Sequence, residues 1–196
     1  APAAAVIVAV VALAVYVRTL MPGVSFGDWA EAQTVPHVLG VGHPNGFPTY
    51  ILVAWVFELI PIGSIAFRAN LLSAVCIAGA LATLAVIAMR LGVRPLIAVA
   101  AGLTLGAVGT VWAAATVARV DPLHLLLMAL LAHRALVWAD ERRPRDLLLG
   151  GLLAGLALGN HLLTLVVAPF LVLLALWAGR GAIRQRPMIL LGAVGA

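Results

Sequence analysis

Two acidic residues with helical spacing lie in a polar stretch between long apolar segments. Asp28 and Glu31 are three residues apart, so on a helix they would share one face. A carboxylate can accept a proton from a substrate hydroxyl or help to hold a cation. The same spacing also fits a capping box, in which Asp28 caps a helix and Glu31 bonds back to its start. Spacing alone favours the cap, and the catalytic alternative stays open.

His43 stands in the same stretch, within the turn-forming sequence Gly-His-Pro-Asn-Gly-Phe-Pro. Proline and glycine restrict such a turn, so the imidazole would be held rather rigidly and could bind a substrate. A lone loop histidine is otherwise simply solvated. No Cys/His cluster has zinc-binding spacing, and an acidic pair by itself does not indicate a metal. The sequence therefore predicts no metal ligands and no cofactor, and it leaves a divalent metal ion open.

Two arginines stand where apolar segments begin or end. Arg68 opens one segment and Arg119 ends another, and arginine binds phosphate through a planar fork of donors. Snorkelling at a helix end is the alternative for both, and Asp121 is near enough in sequence to pair with Arg119. On one side of a membrane, such residues indicate a site for an anionic, lipid-embedded ligand. The acidic residues expected on that side are Asp28, Glu31, Glu58 and Asp121.

Asn160 and His161 interrupt an otherwise apolar tract that runs from Leu147 to Trp177. Polar groups at such a place in a membrane are costly unless they are satisfied, which makes them functional candidates. The cost falls if two short helices meet here at the outer surface. We therefore interpret the tract as two helices that meet at a polar point.

The composition is that of a membrane protein. Of 196 residues, 64% are hydrophobic and only 10% are charged, and the mean hydropathy is +1.16. In a soluble domain, about a quarter of the residues are charged. The apolar runs reach the ~20 residues that span a bilayer and do not alternate as barrel strands do. The fold class predicted is therefore an all-α polytopic membrane protein.

The basic residues are all arginines, and they stand at the ends of apolar runs. Membrane topology therefore explains the net charge of +5 better than nucleic-acid binding does. The single cysteine, Cys76, excludes a disulfide within the sequence given.

The apolar pattern predicts about six to seven transmembrane helices and a helical outer loop. We expect one membrane domain over residues 1–196, ending within a seventh helix that begins near Met188, with residues 21–67 as the first extracytoplasmic loop. Ala3–Leu20 is not interpreted as a cleaved signal peptide, because it lacks a basic start. The other predicted helices are Asp28–Val38 and Thr49–Ile60 in or near the loop, and the spans Phe67–Met89, Pro95–Ala115 and Pro122–Ala139.

The arginines also predict the orientation. With the first loop outside, nine arginines fall on the cytoplasmic side and three on the outer side, as the positive-inside rule expects. The outer three are Arg18, Arg68 and Arg119. The inner nine are Arg90, Arg94, Arg134, Arg142, Arg143, Arg145, Arg180, Arg184 and Arg186.

Four sequence blocks, in this order, resemble a known family. They are Leu-Met-Pro-Gly-Val-Ser-Phe-Gly-Asp-Trp-Ala-Glu-Ala-Gln, Gly-His-Pro-Asn-Gly-Phe-Pro-Thr-Tyr, Phe-Arg-Ala-Asn-Leu-Leu-Ser-Ala and Gly-Leu-Ala-Leu-Gly-Asn-His. The chain resembles a family of bacterial membrane proteins of formerly unknown function. That family is related to an animal transmembrane protein O-mannosyltransferase and belongs to the GT-C glycosyltransferase superfamily.

The resemblance implies a transferase that uses a polyprenyl-phosphate sugar and works at the outer face of a bacterial inner membrane. Asp28 would be the catalytic base, with Glu31 as its neighbour, and the acceptor would be a protein or a glycan. The residues expected to bind substrate are His43, Arg68, Arg119, Asp121, Asn160 and His161.

The chain departs from the family pattern at one place, where Arg119 replaces a glutamate and Asp121 a tyrosine. An inactive homologue is therefore one alternative. Two further alternatives are a transporter, with a site at mid-membrane between broken helices, and a non-catalytic membrane subunit. A transferase is expected to show an outer cleft that converges on Asp28.

Overall fold

The structure is a computed structural model, and it describes residues 2–167, 169–170 and 172–173. Within these residues the chain is helical and contains no strand, as the sequence predicts. The elements are α1 (Pro2–Arg18), α2 (Gly27–Thr34), a 3-10 helix (Pro36–Val38), α3 (Pro48–Glu58), α4 (Ile65–Arg90), α5 (Pro95–Gly106), α6 (Gly109–Thr116), α7 (Asp121–Glu141) and α8 (Pro144–Asn160). The backbone is helical again at 164–167.

Helix α4 is the central element, and α1, α5, α6 and α7 all pack against it. Its sequence contains no proline, and it begins at a standard N-cap, where the Ser64 hydroxyl accepts a hydrogen bond from the Phe67 N–H. Alanines such as Ala69, Ala74 and Ala78 are buried along its length. Small side chains let neighbouring helices approach closely, which is how helices associate in membranes.

The buried apolar residues form two clusters. One joins α1, α4 and α5, and the other joins α3, α4 and α7 beneath the first loop. The second cluster therefore supports the loop that carries Asp28, Glu31 and His43. The first cluster includes Val8, Tyr16, Ile77 and Leu81, and the second includes Tyr50, Ile51, Leu72, Leu123 and Leu127.

In the described residues, α4 and α7 are each long and apolar enough to cross a membrane. Helices α5 and α6 would together make a third span, but they are bent by 71° at a short break. The segment expected to span from Pro95 to Ala115 is therefore two helices with a break between them. At this break the Tyr16 hydroxyl donates a hydrogen bond of 2.8 Å to the Gly106 carbonyl.

The total of six to seven spans stays a prediction. Helices α1 and α3 are apolar but shorter than a full span. The helix expected from Met188, and the inner arginines Arg180, Arg184 and Arg186, lie outside the described residues.

The first loop is helical, as expected. The predicted helix Asp28–Val38 is present as α2 followed by the 3-10 helix, and the predicted helix Thr49–Ile60 is present as α3. The capping interpretation of Asp28 is wrong, because α2 already begins at Gly27 and its N-cap, Phe26, makes no side-chain bond. Asp28 instead lies in the first turn, where a carboxylate is favoured by the helix dipole.

The polar point in the apolar tract is a true break. Helix α8 ends at Asn160, and His161 has an extended backbone with φ −157° and ψ 132°. Gly159 lets this end of α8 approach α3, since a Cβ there would lie 2.6 Å from the Thr49 hydroxyl oxygen. The end of α8 is thereby fixed beside the start of α3.

Candidate functional site

Asp28, Glu31 and His43 converge in the first loop. One ligand atom from each lies within 4.8 Å of the others. His43 Nδ1 is 2.7 Å from Glu31 Oε2, and the His43 backbone N–H donates to Glu31 Oε1 at 2.5 Å. The sequence placed the two acids on one face, but it gave no reason to bring His43 to them. The structure therefore replaces an acidic pair with a cluster of two carboxylates and one imidazole.

The turn after residue 42 explains how His43 reaches the acids. The Gly46 N–H closes the turn on the His43 carbonyl at 2.8 Å, and Gly46 has a positive φ of 75°. Pro48 then begins α3 in the position where proline suits a helix. Gly42 keeps the approach open, because a Cβ there would lie 3.3 Å from Glu31 Oε1. The turn sequence thus determines the position of the imidazole.

The Glu31–His43 contact changes the proton affinity of both partners. The side-chain hydrogen bond from His43 lowers the pKa of Glu31 below its ordinary value. The same bond raises the pKa of His43, and the negative charge of Asp28 adds a smaller effect in the same direction. The pair therefore favours a carboxylate beside an imidazolium, and both side chains are partly exposed to solvent.

A row of rings connects this cluster to the end of α8. The His43 ring lies 5.0 Å from that of Phe47, and Phe47 lies 6.2 Å from His161 in a stacked arrangement. His161 in turn lies 5.3 Å from His124 in the first turns of α7. The structure therefore brings His43 and His161 to the same region, as expected for one site. It adds Phe47 and His124, which the sequence analysis did not single out.

Asn160 connects the same region to the segment before α7. Its side-chain N–H donates to the Val120 carbonyl at 3.0 Å, while its Oδ1 is buried and has no partner in the described part of the chain. Arg119 and Asp121 stand on either side of Val120 and pair with each other, with Arg119 Nη2 2.6 Å from Asp121 Oδ2. The pairing raised from their spacing is therefore confirmed.

Arg68 has different neighbours. Its guanidinium donates to the backbone carbonyls of Glu58 and Ile60, and its Nε donates to that of Ser64. These bonds satisfy carbonyls at the end of α3 and in the α3–α4 connection. Glu58, beside them, is buried, and burial raises the pKa of its carboxyl. The described contacts of Arg68 are thus with the connection and not with the cluster of Asp28, Glu31 and His43.

A buried amide pair, Gln33 and Asn70, holds the loop to the helices. Gln33 Nε2 donates to Asn70 Oδ1 at 2.8 Å, and the same oxygen accepts the Ala118 N–H at 2.8 Å. Asn70 Nδ2 donates to the Met21 carbonyl, and Gln33 Oε1 accepts from the Ser25 N–H. The sequence signal for this pair is Asn70, a polar residue inside the apolar helix α4.

These features define a class: a helical membrane protein whose polar site is built on the loop after its first helix. Within that class the chain belongs to the family described as the Protein O-mannosyl-transferase TMEM260 N-terminal domain, whose sequence model matches residues 28–182. The match begins at Asp28 and includes all the predicted site residues.

One curated relative is the Protein O-mannosyl-transferase TMEM260 of Mus musculus, which is 45% identical to this chain over 60 residues. The aligned segment is 30% of this chain and 8% of the mouse protein, so the chain covers only a small part of that relative. No solved structure matches the chain.

Proposed function

We propose that the chain is the site-bearing part of a membrane glycosyltransferase of the GT-C type. It would move a sugar, with mannose as the first candidate, from a polyprenyl-phosphate donor to an acceptor hydroxyl, and the acceptor would be a protein or a glycan. The observation that carries this proposal is the convergence of Asp28, Glu31 and His43 in a chain of this family. The mouse relative, named as a protein O-mannosyl-transferase, supports the same class of reaction.

Asp28 is the proposed general base. A hydroxyl is a poor nucleophile at neutral pH, so transfer is faster when a carboxylate takes its proton in the transition state. Asp28 is exposed, and its carboxylate makes no hydrogen bond in the described part of the chain. Glu31 is held by two bonds from His43. Glu31 therefore positions the acceptor, while Asp28 stays available for the proton.

Arg119 is the proposed contact to the donor phosphate. Its Nε and Nη2 both bond to Asp121, which fixes the guanidinium plane and leaves Nη1 to face a ligand. A fixed positive charge stabilises the phosphate that leaves when the sugar is transferred. Asn160 and His161 would line the pocket between this phosphate contact and the cluster. Arg68 would act at the edge of the site, since its donors hold the α3–α4 connection.

The proposed location is the inner membrane of a bacterium, with the first loop at the outer face. The lipid donor would lie in the bilayer beside α4 and α7, the two helices that are long enough to span it. The apolar side chains exposed along these helices include Val75, Leu84 and Leu125.

The decisive experiment is a transfer assay on Asp28→Asn. In membranes that contain the protein and a radiolabelled polyprenyl-phosphate sugar, the rate should fall by roughly two to four orders of magnitude. Donor binding should persist at least in part, because the proposed contact of Arg119 with the phosphate is intact. Asp140→Asn is the matched control, because Asp140 is an exposed acid that pairs with Arg90 away from the loop. Transfer by Asp28→Asn at the unmutated rate would defeat the assignment of the base.

Arg119→Gln gives an independent test of the donor contact. Loss of a phosphate-binding guanidinium should raise the KM for the lipid donor, while Asp28→Asn lowers kcat. If both variants changed only kcat, the division of roles between Asp28 and Arg119 would be wrong.

A further inference from the structure

We propose that Asp28, Glu31 and His43 form a binding site for a divalent transition-metal ion. The role given to the ion below rests on the proposed transferase function, but the site itself rests on the geometry of these three side chains.

The three side chains offer a mixed set of nitrogen and oxygen donors. Two carboxylates and one imidazole each offer a ligand atom, and these atoms lie within 4.8 Å of one another. Mixed nitrogen and oxygen donors suit ions such as Mn²⁺, Fe²⁺, Co²⁺ and Zn²⁺, whereas Mg²⁺ and Ca²⁺ prefer oxygen alone. Three protein ligands leave coordination positions open for a substrate or water. All three side chains reach solvent, so an ion can enter.

In the part of the chain that the structure describes, arginine does not neutralise Asp28 and Glu31. Among the described acidic residues, Asp28 and Glu31 are the two without an arginine beside them. The others have one: Asp121 pairs with Arg119, Asp140 and Glu141 with Arg90, Asp146 with Arg134, and buried Glu58 is influenced by Arg68. Two nearby carboxylates that share one imidazole carry excess negative charge, which a divalent ion would balance.

The fold also orients Glu31 and His43 as ligands. The His43 N–H binds Glu31 Oε1 and directs Oε2 toward the ring nitrogen Nδ1. The turn closed by Gly46 and the edge contact with Phe47 hold the imidazole in place. Bonds of this kind orient metal ligands and raise affinity.

In the transferase, the ion would hold the phosphate of the lipid donor close to the acceptor. Asp28 has two carboxylate oxygens, so one can bind the ion while the other accepts the proton of the acceptor hydroxyl. Arg119 is already paired to Asp121, so it neutralises the donor phosphate only in part. The ion would add the remaining positive charge.

The test is a titration of the purified protein with Mn²⁺ in detergent at pH 7.5, with free Mn²⁺ measured by electron paramagnetic resonance. We expect one saturable site, and a loss of affinity of roughly tenfold or more in both His43→Gln and Glu31→Gln. His37→Gln is the matched control, because His37 also contacts a carboxylate, Glu58, at 3.4 Å, and it should bind Mn²⁺ normally. Saturating Mn²⁺ should raise the melting temperature of the unmutated protein and of His37→Gln, but not of His43→Gln.

Absence of saturable binding to the folded protein would overturn the cation site, as would equal affinity in His43→Gln and His37→Gln. Thermal unfolding of each variant shows that it is folded before it is titrated. A chelator separates the ion from the proposed function. If transfer continues in the presence of a chelator, the ion has no role in transfer, and the proposed transferase function still stands. Conversely, full transfer by Asp28→Asn, together with saturable Mn²⁺ binding by the unmutated protein, would remove the base and leave the site.

Discussion

Gln33 and Asn70, from α2 and α4, form a buried amide–amide hydrogen bond of 2.8 Å beneath the first loop. Each side chain also bonds to backbone groups, so the pair joins the start of the loop, α2, α4 and the segment before α7. Neither residue is a candidate for chemistry. Their effect is to hold the loop that carries Asp28 against the segment that carries Arg119.

The first prediction is that Asn70→Leu destabilises the protein strongly. The change removes three hydrogen bonds: it leaves the buried Ala118 N–H without its partner, while Gln33 Nε2 keeps only its 3.3 Å bond to the Gly23 carbonyl. Each unpaired buried group costs ~1–3 kcal/mol, so the melting temperature in detergent should fall by several degrees or more. Asn45→Leu, at an exposed position in the turn, is the control and should change little. Equal melting temperatures in the two variants would show that the amide pair does not hold the loop.

The second prediction concerns pH and the Glu31–His43 pair. Glu31 has a lowered pKa in the folded chain, so its contribution to stability is full above the ordinary value of 4.5 and is lost as the pH falls through the folded pKa. His43 has a raised pKa, so its contribution is full below 6.5 and is lost as the pH rises through the folded pKa. The pair should therefore be most stabilising between pH 4.5 and 6.5.

Melting temperatures of the unmutated protein and of His43→Gln should differ most within that window, and the difference should shrink on both sides of it. A difference that stays constant from pH 3 to pH 9 would contradict the charged pair. Asp28 faces the same imidazole and adds to the rise in its pKa, so in an Asp28→Asn background the contribution of His43 should be lost at a lower pH on the alkaline side.

The sequence predicted the helices well because apolar length and proline positions are local signals. The short helices of the loop and the break at Asn160 and His161 follow from such signals, and the structure contains them. The sequence could not predict the contact between His43 and Glu31, because that contact depends on a turn closed by Gly46.

Contacts between distant segments account for what local signals miss. The spacing of Asp28 and Glu31 favoured a helix cap, but α2 already begins at Gly27 and Glu31 bonds to His43. The apolar composition from Pro95 to Ala115 does not indicate the bend between α5 and α6, where Tyr16 from α1 donates a hydrogen bond to the Gly106 carbonyl.

The third prediction tests the bend between α5 and α6. A Cβ on Gly106 would lie 2.8 Å from both the Leu81 Cδ1 and the Tyr16 hydroxyl oxygen, so Gly106→Ala should displace the bond that Tyr16 makes at the break. The cost of overpacking such a site is about 1–3 kcal/mol. Gly109→Ala is the matched control, since a Cβ there has open space. Equal melting temperatures for the two alanine variants would mean that the contact with Tyr16 does not support the bend.

The last prediction is the orientation of the chain, on which the outer-side assignment of the site depends. The arginine bias puts the first loop outside and the α7–α8 connection inside. Asn45 in the loop and Asp140 near the end of α7 are both exposed, whereas the native Cys76 is buried and should give little background. With a membrane-impermeant thiol reagent on intact cells, Asn45→Cys should be labelled and Asp140→Cys should be labelled only after the membrane is opened. The reverse pattern would place Asp28 and His43 at the cytoplasmic face, and a transferase fed by an outer-side lipid donor would no longer fit the chain.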